Sequence, residues 1–160
     1  MKSITYQPIG IIHTPFNEKS NTPIQPASAI GVEGKIEVFS EFADGLKDID
    51  GFSHLIIVYH FHLSEGFNLE VKPFLDEETH GVFATRAPKR PNGIGISVVK
   101  LKKAEGSTLH IENVDVINET PLLDIKPYVP DFSINDDVKI GWLSKHKDKI
   151  PNMKADNRFG

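Results

Sequence analysis

Cysteine is absent from the 160 residues, which excludes disulfides, thiolate nucleophiles and thiolate metal sites and suits a reducing compartment. No apolar run approaches the roughly 20 residues a membrane-spanning helix needs. The opening MKSITYQPIG lacks the apolar stretch of a secretory signal. Positive charge is in deficit, with 18 Lys and Arg against 22 Asp and Glu and a net charge of −4. That excludes wholesale coating of nucleic acid and confines any RNA contact to a local basic patch. Phosphate-cradling motifs are missing too. The NGIG of residues 92–95 fails the dinucleotide-binding spacing, follows a proline-rich loop and leads into a strand. Ser97 and Ser107 lack the surroundings of a nucleophile elbow. The expectation is a soluble cytoplasmic protein with neither a Rossmann site nor serine-hydrolase machinery.

What is present reads as short strands. A hydrophobic content of 39% with 25% charged residues fits one domain over residues 1–160, with a core at about 4–130. Strand-like runs span Ile4 to His13, Gly34 to Ser40, His54 to His62, Val82 to Thr85, Ile94 to Leu101, Thr108 to Ile117 and Leu122 to Ile125. The run HLIIVYHFH is apolar enough to be buried on both faces. In TLHIENVDVI the apolar phase switches between Ile111 and Val114, which a bulge near Asn113 would reconcile. Helical signals are few. A turn is expected at Glu41 to Lys47, and Val138, Trp142, His146 and Ile150 recur every four residues after the capping candidates Asn135 and Asp136. The fold class is mainly β, an antiparallel barrel or sandwich of about seven strands with short helices, one at about 135–150. Two long loops, Thr14 to Gly31 and Ser64 to His80, are candidates for function.

The stretch GVFATRAPKRPNGIGISVVKL, from Gly81, carries the strongest chemistry. Arg86, Lys89 and Arg90 sit on a loop stiffened by Pro88 and Pro91, a ready site for carboxylate or phosphate. Further lysines follow at Lys145, Lys147, Lys149 and Lys154, read first as a solvated helix face. His60 and His62 share a strand face, but no other ligand has metal-site spacing, so no metal is expected and a structural or stacking role is favoured. Asp124, Lys126 and Tyr128 alternate along DIKPYVP. Spacing alone fits a catalytic cluster and a surface ion pair beside a half-buried tyrosine equally well.

Several segments together resemble the TrmO-like (TsaA-like domain) family of S-adenosylmethionine-dependent methyltransferases acting on tRNA. They are IGIIHTPF from Ile9, TPIQP from Thr22, DIDGFSHLIIVYHFH from Asp48, GVFATRAPKRPNGIGISVVKL and TPLLDIKPYVP from Thr120. The resemblance covers about the first 130 residues. It implies a small β-barrel without a Rossmann sheet, a homodimer with sites near the subunit interface, and methylation of N6 of N6-threonylcarbamoyladenosine beside the anticodon.

By the same resemblance, Pro23, Ile24, Gln25, His62, Leu63, Arg86, Ile96 and the turn Asn118, Glu119, Thr120 and Pro121 hold the methyl donor. Lys126 and Tyr128, with Asp124, lie near the reacting end, while Lys89 and Arg90 meet tRNA phosphate. One departure stands out. Where the family usually has Asp-Gly-Thr-Pro, this chain has Asn118-Glu119-Thr120-Pro121, losing a carboxylate and an easy positive-φ position. Two other readings stay open: a donor- or tRNA-binding module without transfer, and a methyltransferase for another RNA adenine or a small molecule.

Overall fold

The structure, a computed structural model, describes residues 2–17, 29–130 and 139–146. Six antiparallel strands close into a barrel: β1 (Gly10–His13), β2 (Glu33–Val38), β7 (Thr108–Glu112), β6 (Ile94–Glu105), β3 (His54–His60) and β8 (Thr120–Pro127), with β8 returning to β1. A separate two-stranded ribbon pairs β4 (Glu70–Val71) with β5 (His80–Gly81). The expected antiparallel barrel is borne out, with six strands in its wall and two outside it. Alternation along each strand turns one set of side chains inward. Ile12, Ile36, Leu55, Ile57, Val99, Leu109, Ile111 and Leu122 fill the interior. A six-stranded barrel is too narrow to hold more than its own side chains.

Several expectations are corrected. The first strand is only Gly10–His13, and Ile4 and Tyr6 before it are exposed. Val82 to Thr85 is no strand, since Val82–Ala84 forms a 3-10 turn. β3 is not buried on both faces: Leu55, Ile57 and Tyr59 face the core, while Ile56 and Val58 are only partly covered. Its strand ends at His60, and His62 N–H donates to the His60 carbonyl, so the two imidazoles do not share a strand face. β7 stops at Glu112 without the expected bulge. Asn113 instead takes φ 67°, a left-handed conformation asparagine tolerates, and its side-chain oxygen accepts from Gly31 N–H. The chain then crosses one mouth of the barrel and plugs it with buried Val114 and Val116.

The expected short turn at Glu41 to Lys47 appears as the 3-10 segment Ser40–Leu46. Near the C-terminus the described part of the expected helix is a 3-10 turn, Gly141–His146. Trp142 stacks on His80, ring centroids 4.5 Å apart, and its indole N–H donates to the Ala84 carbonyl. It therefore packs on the segment around β5. Asn135, Asp136, Val138, Lys147, Lys149, Ile150 and Lys154 lie outside the described residues.

Register fixes the two ends of the barrel. His13, Glu33, His60, Ile94, Glu112 and Thr120 mark one mouth, while Gly10, Val38, His54, Thr108 and Pro127 mark the other. The connection 113–119 crosses the first of these, which is called the upper mouth below.

Candidate functional site

The upper mouth gathers most of the described donor-site expectations. Thr120 hydroxyl donates to the Ile117 carbonyl at 2.7 Å and lies 3.3 Å from His62 Nδ1. Its single proton is committed to Ile117, so Nδ1–H must be the donor to Thr120, leaving Nε2 of neutral His62 with its lone pair. Burial, and secondarily His60, hold the His62 pKa below the ordinary imidazole value, against a smaller opposing effect of Glu119. Leu63 beside it is exposed.

Asn118 ties this turn to the long first loop. Its side-chain oxygen accepts from Thr14 N–H at 3.0 Å, its amide donates to Asn17, and its own N–H donates to the Phe16 carbonyl. A carboxylate there could not make the donation to Asn17, so this chain's asparagine adds a brace. Glu119 sits at φ 61°, the left-handed region. The position that glycine would occupy easily is held by a side chain at a penalty of roughly 1–2 kcal/mol. Pro121 lies in β8, opposite Ile11. Pro23, Ile24 and Gln25 lie outside the described residues.

The cationic loop is braced from within. Arg90 Nη1 donates to the carbonyls of Thr85 (2.9 Å), Val82 (3.3 Å) and Ala87 (3.3 Å), and its guanidinium lies 6.0 Å from the Phe83 ring centroid. Under the loop, Val71, Val82 and Ala87 form a small core of their own with Phe74. Arg86 extends the other way, donating from Nη2 to the Ile96 carbonyl. The prolines are thus only part of what stiffens this elbow. Lys89 follows on the same loop, partly buried.

Ile96 itself points outward and is 51% exposed. On β3 its partner is Val58, whose partner on β8 is Asp124. The next rung is Val98, Ile56 and Lys126. Directly opposed residues share a face, so Asp124 and Lys126 lie on the same outer face as Ile96. Lys126 Nζ meets Asp124 Oδ2 at 2.6 Å, both side chains well exposed. This placement depends on an irregularity. Between Val58 and Tyr59 the register on β8 jumps by an extra residue, from Asp124 to Leu122. Leu122 faces the core before the jump and Ile125 faces inward after it, so the bulge at Leu123 turns Asp124 and Lys126 outward.

Tyr128 lies farther along, its N–H donating to the His54 carbonyl and its ring edge-on to His54 at 6.2 Å. It therefore sits at the lower end of the barrel. Lys126 lies six positions beyond Thr120, roughly 20 Å of β8. Within one chain the structure joins His62, Leu63 and Asn118 to Pro121 at the upper mouth. It joins Asp124 and Lys126 on the outer face below, and does not bring Lys126 or Tyr128 to the mouth.

Three residues to which sequence reasoning gave no role lie inside the upper mouth. Ser97 hydroxyl donates to Asp115 Oδ1 at 2.6 Å and lies 3.0 Å from the Tyr59 hydroxyl. Serine has one proton, so Tyr59 donates to Ser97 and Ser97 to Asp115. Burial pushes the Asp115 carboxyl up to about 6, against the pull of Ser97 and Arg86. Burial, with Asp115 itself, pushes the Tyr59 phenol above its usual range, so it stays neutral. The signal was a lone serine within IGISVV and a lone acid within NVDVI, polar residues that apolar runs admit only with partners. Among the described residues no group of three or more His, Asp or Glu gathers as metal ligands, and no helix is long and apolar enough to cross a membrane.

Comparison with known proteins agrees with this architecture. Residues 11–134 match the tRNA-methyltransferase O N-terminal domain family. A Pyrococcus abyssi protein named as a probable S-adenosyl-L-methionine-binding protein is 55% identical over 98% of this chain and 85% of its own length. The human protein named tRNA (adenine(37)-N6)-methyltransferase is 35% identical over 79% of this chain, which spans 30% of it. The crystal structure of TrmO from Pseudomonas aeruginosa superposes with a TM-score of 0.72 at 36% identity, covering 88% of this chain and 63% of that one. The chain belongs to the tRNA-methyltransferase O N-terminal domain family.

Proposed function

We propose that this chain is a cytoplasmic, S-adenosylmethionine-dependent methyltransferase acting on N6 of N6-threonylcarbamoyladenosine beside the anticodon of tRNA. One observation carries the reading: in a member of this family, the described donor-site positions just after β3, in β8 and in the 113–119 crossing converge on a single barrel mouth. The residues there fit such a donor. Leu63 and Ile96 offer exposed apolar surface for an adenosine. Arg86, held by its bond to the Ile96 carbonyl, presents a fork of donors to a carboxylate.

The donor supplies an electrophilic methyl on a positively charged sulfur. The protein's part is to align the acceptor nitrogen with it, which contributes roughly 7–11 kcal/mol. It must also accept the N6 proton, a contribution of about 10²–10⁴ in rate. Asp124, Lys126 and Tyr128 are assigned to that second task. Lys126 either relays the proton to Asp124 or stabilises charge on the carbamoyl oxygen. Lys89 and Arg90 are assigned to tRNA phosphate. Arg90, one of whose nitrogens is already spent on three carbonyls, acts there chiefly by holding the loop in shape.

The roughly 20 Å between Thr120 and Lys126 supports a homodimer in which one protomer's outer face completes its partner's mouth. Ile96 and Ile94, flanked by partly covered Val58, Ile56 and Val98, supply an apolar strip for that contact. The test is transfer of labelled methyl to tRNA carrying or lacking the threonylcarbamoyl group. Transfer to the modified tRNA alone is expected. Donor binding without transfer to either would replace this reading by that of a binding module. Transfer equally to both would move the acceptor to another adenine. With saturating donor, Lys126→Ala and Tyr128→Phe are each expected to lower turnover at least tenfold, of the order assigned to a general base.

A further inference from the structure

We propose that Asp115 is the counter-charge for the cationic sulfur of the methyl donor, so that the upper mouth prefers the sulfonium to the neutral thioether left after transfer. This rests on the donor-binding reading above and adds to it a residue that selects the charge state of the ligand.

Asp115 belongs to the segment that plugs the upper mouth, between buried Val114 and Val116 and three residues before the Asn118 turn. Its anchor, Ser97, is the inward neighbour of Ile96, whose carbonyl holds Arg86. The charge is therefore placed between the two groups of donor-site residues. The groups facing it are Tyr59 from β3, Ser97 from β6 and Arg86 from the elbow. Tyr59 is neutral and donates through Ser97, a chain in which each proton points toward Asp115 and which polarises to favour the anion. Arg86 lies near enough to hold the carboxyl down, yet the two make no ion pair among the described residues. Of the other acids at this mouth, Glu33 and Glu119 are exposed, where water and salt weaken their fields, and Glu112 is paired with Lys100 and Lys102.

This carboxylate, partly buried and held by Ser97, has lost solvation that a bound cation partly restores, whereas a thioether restores none. The same charge that draws the donor in thus lets the spent product go. Linkage gives the scale: if binding lowers the Asp115 pKa by one unit, affinity above that pKa gains about tenfold.

The test measures affinities of the intact protein for S-adenosylmethionine and S-adenosylhomocysteine by calorimetry at pH 7.5. Asp115→Asn keeps an acceptor for Ser97 and removes the charge. It is expected to weaken S-adenosylmethionine about tenfold while changing S-adenosylhomocysteine less than twofold. Equal weakening of both ligands would show a structural role, and two unchanged affinities would show no role; either overturns the proposal. A second measurement uses the unaltered protein at pH 6 in buffers of different ionisation heat. Binding of S-adenosylmethionine should release protons from Asp115, and binding of S-adenosylhomocysteine should not. Equal release by both ligands also overturns it. A protein that binds neither ligand would instead remove the donor-binding reading itself, and this proposal with it.

Discussion

Asp115 and Gly95 show how much a single position decides here. The Asp115 carboxyl is raised from 3.8 to about 6 by burial, so the folded protein holds its proton more tightly than the unfolded chain. Its stability contribution is therefore fully present below pH 3.8 and lost as pH climbs to about 6. A rise of that size corresponds to roughly 3 kcal/mol. Asp115→Asn, which cannot ionise, should gain stability relative to the natural protein by about 2–3 kcal/mol between pH 4 and pH 7. Urea denaturation at the two pH values checks this, and a difference that stays constant would contradict the burial argument.

Gly95 is demanded by packing. A Cβ there would overlap the Tyr59 ring and come within 2.9 Å of Phe61, and these rings pack edge-on at 5.5 Å. Gly95→Ala should cost about 1–3 kcal/mol as the rings shift, read as a lowered thermal midpoint. It should also disturb the Tyr59–Ser97–Asp115 chain.

At the scale of elements, the bulge in β8 decides which residues meet solvent. One extra residue at Leu123 moves Asp124 and Lys126 out of the phase of Leu122. Deleting Leu123 would remove the bulge and leave both pairs in place, Tyr59 with Leu122 and Val58 with Asp124, so both charges would stay outward. The deletion should therefore cost less than about 3 kcal/mol, seen as a modest drop in the denaturation midpoint. A larger loss would mean that the bulge itself, and not only the outward phase of the charges, holds β8 in the barrel. The elbow at 85–93 is governed in a similar way. Its shape comes from three carbonyls converging on one guanidinium as well as from its prolines. The bulge and the carbonyl cage are both relations between distant backbone groups, which is why strand periodicity alone did not show them. The phase switch near Asn113 was visible, but its outcome was not: the same residue pattern fits a bulge and a strand that ends.

For the whole molecule, the separation of the upper mouth from Lys126 and Tyr128 argues for two chains per working unit. Ile96→Arg should leave the barrel intact, since that side chain points outward, and weaken self-association by about 2 kcal/mol or more. Sedimentation equilibrium at micromolar concentrations tests this. A natural protein that is monomeric there, yet transfers methyl, would sink the two-chain arrangement.

Strand alternation, the glycines and prolines of the elbow and the long TPLLDIKPYVP and ATRAPKRPNGIG matches were enough, read along the chain, for an antiparallel barrel and for the family. They work because alternation is a local consequence of the pleat, and because a motif is itself a linear object. Even the left-handed backbone at Glu119 followed from a missing glycine. Closure with six strands was decided only in three dimensions, as were the mouth on which His62 and Asn118 to Pro121 converge, the remoteness of Tyr128, and the charge of Asp115. Each depends on which residues far apart along the chain come into contact, and burial, not sequence neighbourhood, sets the energy of a carboxylate.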